Sequence, residues 1–141
     1  MRGSIAIIDD SPTIRRIAEV FLAHEGFLVQ SFPDGVEALH HLSQPHTPLP
    51  DLVFLDLNMP KLNGYQVALR IKHSERLAHI PVIFLTRYDG VIDHLKCRLA
   101  GGEGHISKPF LPATICECAS QLLISRSTLR ERGTHVTSVL S

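Results

Sequence analysis

The 141-residue chain has no excess of either charge: Lys plus Arg and Asp plus Glu both number 14. That balance argues against a basic nucleic-acid surface and against an acid-rich interaction tail. No apolar run approaches the roughly 20 residues a membrane helix needs. The run Ile5-Ala6-Ile7-Ile8 is too short for a signal peptide and meets two acids at once. Three cysteines, an odd count, argue against a disulfide framework. Cys116 and Cys118 stand two apart on a helical stretch, so they share no face and read poorly as a metal pair. The nine histidines show no HExxH-type spacing, and His40-His41 is expected on a helix surface. Gly101-Gly102-Glu103-Gly104 lacks G-x-G-x-x-G order and reads as a helix stop and turn. These absences leave a cytoplasmic chain, with no membrane insertion and no direct nucleic-acid partner, as the expectation.

What is present is the composition of one globular domain, 44% hydrophobic and 20% charged. A domain of this size buries roughly 68–70% of its unfolded surface, enough for a core without disulfides. Four continuous apolar runs fit strands buried on both faces of a parallel sheet: Ile5–Ile8, Phe27–Val29, Leu52–Leu55 and Val82–Leu85. His105-Ile106-Ser107 is a weaker fifth. Between them lie helical patterns. Ile14, Ile17, Ala18, Phe21 and Leu22 share one face, opened by Ser11-Pro12 and stopped by Gly26. Val36, Leu39 and Leu42 mark a second helix, and Gly64, Val67, Ala68 and Ile71 a third. Ile92, Leu95 and Leu99 mark a fourth, and Ile115, Cys118, Ala119, Leu122 and Leu123 a fifth. Pro45, Pro48 and Pro50 make the stretch before the third strand a loop. Repeated strand–helix units imply an α/β fold, a parallel sheet with helices on both faces. Residues 125–141 show no stripe and read as a flexible polar tail on a domain spanning 4–124; three Arg and one Glu give the tail +2.

Every strand except the second runs into a group that can do chemistry. The first ends at Asp9-Asp10, the third at Asp56, the fourth at Thr86 and the fifth at Ser107-Lys108. In an open α/β sheet, ligands bind outside the carboxyl ends of the strands. Three carboxylates on one rim raise each other's pKa unless a cation is present. Mg²⁺ suits such oxygen ligands, together with waters and phosphate oxygens. A carboxylate can also accept a phosphoryl group as an aspartyl phosphate, a transfer that depends on positioning and charge neutralisation.

These residues resemble the response-regulator receiver family, the CheY-like domains of two-component signalling. The matching stretches are Ile8-Asp9-Asp10-Ser11, Leu55-Asp56-Leu57-Asn58-Met59-Pro60 with Gly64, Leu85-Thr86, and Lys108-Pro109-Phe110. Ser11-Pro12-Thr13-Ile14-Arg15-Arg16, Gly64-Tyr65-Gln66 and Asp89-Gly90 are most similar to stand-alone regulators of type IV pilus and twitching chemosensory systems. The resemblance implies a flavodoxin-like (βα)5 doubly wound sheet with strand order 2-1-3-4-5. It implies phosphoryl transfer to Asp56 from a sensor histidine kinase or phosphotransfer protein, and an output by binding an effector protein. Mg²⁺ is then held by Asp10, by Asp9 directly or through water, by Asp56 and by the Asn58 backbone carbonyl. Lys108 pairs with the phosphate, and Lys108-Pro109 is a cis peptide. Thr86 turns inward on phosphorylation and reshapes the face formed by residues 87–107, the expected partner surface.

The chain departs from the family at four positions. His105 stands where a switching Tyr or Phe is usual; as a switch, its inward rotamer should hold a neutral ring. Arg87 follows Thr86 in place of a small residue, and could narrow access or contact the phosphate. Asn58 and Tyr88 occupy the two positions that tune dephosphorylation. Two other readings stand beside this one. An aspartyl-phosphate hydrolase would carry an acid two residues after its nucleophile, where this chain has Asn58. A receiver domain cut from a larger regulator would have residues 125–141 as its linker.

Overall fold

The two glycine stops and the Ser-Pro start act as the chain's punctuation in the computed structural model, which describes residues 2–87 and 90–124. Strands β1 (Ser4–Ile8), β2 (Leu28–Phe32), β3 (Leu52–Asp56), β4 (Val82–Thr86) and β5 (Gly104–Ser107) alternate with helices α1 (Pro12–His24), α2 (Gly35–Leu42), α3 (Gly64–Lys72) and α4 (Val91–Leu99). A fifth helix, α5, covers residues 112–124. All strand pairs are parallel and the order is β2-β1-β3-β4-β5. The expected doubly wound sheet is therefore the fold.

Helix α1 opens with the Ser11 hydroxyl accepting from the Ile14 N–H, and Pro12 fills its first turn. It closes on Gly26 at φ +96°, where Gly26 N–H donates to Ala23 and Phe27 N–H to Leu22. Gly101, at φ +95°, closes α4 in the same way, with Gly102 N–H reaching the Cys97 carbonyl at 2.9 Å. Both are Schellman stops, and both require the left-handed backbone that glycine adopts at least cost.

Successive strand residues feed opposite faces. Ala6, Ile8, Val53, Leu55, Val82 and Phe84 pack under α2, α3 and α4. Ile5, Ile7, Leu52, Phe54, Ile83 and Leu85 pack under α1 and α5. Arg76 pins the proline loop from the far side, its guanidinium donating to the carbonyls of Leu42, Gln44 and Thr47 at 2.5–2.7 Å.

Three expectations need correction. The second strand starts one residue later than expected and runs to Phe32. It is an edge strand with one strand neighbour, exposed at Leu28 and Gln30 and buried only at Phe32 at its carboxyl end. The apolar stripe of α4 faces outward: Val91 is 85% exposed, Ile92 69%, Leu95 54% and Leu99 74%, and Cys97 is the residue α4 buries. His41 lies half-buried, its ring 5.2 Å from that of Phe32, rather than on the surface. The expectations for Tyr88, Asp89 and the tail 125–141 fall outside the described residues.

Candidate functional site

The carboxyl ends of β1, β3 and β5 bring Asp9, Asp10, Asp56 and Lys108 together. One carboxylate oxygen from each aspartate lies within 4.8 Å of the others. Asp9 is fully buried: its Oδ1 accepts from the Ser11 N–H at 2.9 Å and its Oδ2 from Lys108 Nζ at 2.7 Å. Lys108 Nζ also lies 3.2 Å from Asp56 Oδ1. Asp56 is 4% exposed, and its Oδ1 accepts from the Asn58 N–H at 3.2 Å. Asp10 is exposed and faces the solvent side of the cluster.

One ammonium does not balance this much negative charge. Burial, and next the charge of Asp9, push the Asp56 carboxyl up to about 6, against the opposing pull of Lys108. A divalent cation would relieve that repulsion, and three clustered carboxylate oxygens beside the exposed Asn58 are hard donors of the kind it takes.

Local chain geometry keeps Asp56 where it is. The Leu57 N–H bonds to the Leu85 carbonyl at 3.1 Å, and the Gly64 N–H to the Leu57 carbonyl at 2.9 Å. A Cβ on Gly64 would sit 2.4 Å from the Asp56 carbonyl oxygen and 2.8 Å from Leu57 Cα. Only glycine lets α3 start against the backbone that carries Asp56. Arg15 braces the other wall by donating to the Asp9 carbonyl at 2.7 Å. Neither supporting role was visible in sequence, although Gly64 sits at a fixed offset after Pro60.

Above the cluster opens a cavity of about 580 Å³ lined by Asp10, Ser11, Asp56, Asn58, Arg87 and Lys108, among others. Thr86 is 1% exposed at the end of β4, its carbonyl accepting from the Lys108 N–H at 2.7 Å. The cavity wall on that side belongs instead to Arg87. Lys108-Pro109 is cis, as the resemblance implied. His105 is half-buried on β5 and lies against His94 of α4, ring centroids 3.8 Å apart and planes tilted by 33°.

Comparison with known proteins identifies the fold and the family. The chain is 40% identical over 106 residues to Protein PilG of Pseudomonas aeruginosa, covering 75% of this chain and 76% of that one. It spans about half the length, or less, of several transcriptional regulators that it also matches. The chemotaxis response regulator CheY4 of Vibrio cholerae superposes with a TM-score of 0.79 at 24% identity, covering 84% of this chain and 97% of that one. The Mn²⁺-bound response regulator Rcp1 superposes at 0.72 with 25% identity, covering 85% and 91%. The model of the response regulator receiver domain matches residues 5–120. A match through nearly all of the described sheet and helices, on a fold whose strand ends meet at an acidic cluster, makes this chain a member of the response regulator receiver family.

Proposed function

We propose that Asp56 is the phosphoacceptor of this receiver domain and that Asp9, Asp10, Asp56 and the Asn58 backbone carbonyl hold Mg²⁺. The observation that carries the reading is the convergence of three carboxylates within 4.8 Å, two of them sharing one lysine. Receiver domains as a family are signalling phosphoacceptors rather than turnover enzymes, and they exchange phosphoryl groups with histidine kinases or phosphotransfer proteins. An Asp56 carboxylate oxygen attacks the phosphorus of a phosphohistidine. The new O–P bond forms as the P–N bond breaks, and the bonding pair leaves on the imidazole, which takes a proton from water. Bound Mg²⁺ supplies charge neutralisation at the phosphoryl oxygens. Lys108, already at Asp56, moves its ammonium to the new phosphoryl oxygens, and Thr86 donates its hydroxyl to one of them.

Movement of Thr86 is the step that passes the signal outward, through His105 and α4. The exposed Val91, Ile92, Leu95 and Leu99 give that helix an apolar face suited to an effector protein. The likeness to Protein PilG supports a place among stand-alone regulators of type IV pilus systems, and a cytoplasmic location goes with a kinase as donor.

Intact-mass spectrometry after acetyl phosphate and Mg²⁺ tests the assignment. One phosphoryl should be gained by the wild type and none by Asp56→Asn. Equal uptake by both would refute Asp56 as the acceptor.

A further inference from the structure

We infer that Arg87 is a second phosphoryl-binding cation, a positioning residue that captures anionic phosphodonors at the mouth of the cavity. The inference rests on Asp56 being the phosphoacceptor. It starts from a charge count. Phosphorylation replaces the single negative charge of Asp56 by about −1.5 to −2 and adds three acceptor oxygens. Lys108 is already committed, with Nζ 2.7 Å from Asp9 and 3.2 Å from Asp56. It cannot balance the added charge without releasing one of them. Arg87 is the other cation lining the cavity. Among the described residues its guanidinium joins no salt bridge, and the residue is exposed at the opening.

The backbone fixes where that side chain starts. Arg87 follows the last residue of β4, where Thr86 lies opposite Ser107 and its carbonyl holds the Lys108 N–H at 2.7 Å. The chain leading into Arg87 and the chain carrying Lys108 are thereby locked together at the rim of the cavity that Asp56 lines. A guanidinium stays charged at any working pH and offers a planar pair of N–H donors that matches two phosphoryl oxygens. It is also less strongly hydrated than an ammonium, so it gives up water to an anion at lower cost. With acetyl phosphate as donor, the Asp56 O–P bond forms, the acetyl O–P bond breaks, and acetate leaves with the bonding pair. Arg87 takes no part in bond making. It holds the donor's phosphoryl oxygens before transfer and the acyl phosphate's oxygens after it.

The test compares wild type, Arg87→Ala and Arg87→Lys in rate of uptake from acetyl phosphate and in affinity for beryllium trifluoride, a phosphoryl mimic. Loss of a charge-assisted contact should raise the half-saturating donor concentration about tenfold in Arg87→Ala and weaken the mimic by a similar factor. Arg87→Lys should recover part of both. Mg²⁺ affinity should be unchanged or slightly tighter in Arg87→Ala, because a cation has been removed from its surroundings; general damage to the site would weaken it. Raising the salt concentration should erode the wild-type advantage. Equal donor and mimic affinities in wild type and Arg87→Ala would overturn the role of Arg87 while Asp56 stands. A wild type that takes up no phosphoryl group would overturn both.

Discussion

Replacing Asp56 by Asn should make the metal-free protein more stable. Asp56 is 4% exposed, and its carboxyl is raised from 3.8 to about 6, first by burial and second by the charge of Asp9. At pH 7 the side chain is ionised in the folded and unfolded chains alike, but ionisation is harder in the folded one. A shift of about 2 units at 1.36 kcal/mol each corresponds to about 3 kcal/mol of stability forgone. Asn has nearly the same shape and no charge. Its Oδ1 can still accept from the Asn58 N–H, and Lys108 keeps its 2.7 Å contact with Asp9. Little is therefore lost in exchange, and the gain in melting temperature should be on the order of 10 °C.

The pH dependence identifies the cause. For an acid whose folded-state pKa is raised, the folded protein binds the proton more tightly than the unfolded chain does. Wild-type stability therefore rises as pH falls from about 6 towards 4. The variant lacks that gain. Thermal melts followed by circular dichroism in EDTA, from pH 4 to 8, should show a gap that is widest above pH 6 and closes near pH 4. Adding Mg²⁺ should narrow the gap at pH 7 by stabilising the wild type more than the variant. A variant less stable than wild type at pH 7, or a gap independent of pH, would refute the electrostatic account.

Two further outcomes follow from the same geometry. Mg²⁺ affinity, measured by calorimetry, should fall as pH drops through about 6 because the proton on Asp56 competes with the metal, and Asp10→Asn should weaken binding at every pH. Gly64→Ala should cost about 2 kcal/mol or more in denaturant melts and slow phosphoryl uptake, because its Cβ would meet the Asp56 carbonyl at 2.4 Å; wild-type values for both would remove Gly64 from the site's framework.

The central strands were legible because β1, β3 and β4 are covered on both faces, so their sequences are unbroken apolar runs. Of the edge strand only the start was legible, since the polar Gln30 and Ser31, one on each face, interrupt the apolar run before Phe32. Leu77 and Ile80, both buried, escaped notice because they lie in irregular chain between α3 and β4, where no period marks them. The site was legible for a positional reason: in a parallel sheet every strand ends on the same rim, so the residues after each apolar run meet. What those residues touch was less visible. The ion pairs of Lys108 with both Asp9 and Asp56 follow from no spacing in the sequence. His105 pairs with His94 across an element boundary that no spacing rule spans.

Helix α4 shows where periodicity misleads, and it can be tested directly. Ile92, Leu95 and Leu99 have the spacing of a core-facing stripe, and a stripe says only that one face is apolar, not which way it points. Here the buried contacts come from Cys97 and from Ala100 just beyond the helix, while Gly101 and Gly102 close its end against Lys72 and Phe84. The larger side chains are left in solvent. If the stripe served the core, Leu95→Ser would cost about 2–5 kcal/mol, as truncation of a buried leucine does. With Leu95 54% exposed, the change in denaturant melts should stay within about 0.5 kcal/mol, and phosphoryl uptake at Asp56 should be unaffected. Ala100→Asp, 5% exposed in the wild type, should destabilise strongly as the paired control, because it buries an unpartnered carboxylate. A large loss of stability in Leu95→Ser would mean that α4 packs through its apolar face, and the effector surface proposed there would have to be abandoned.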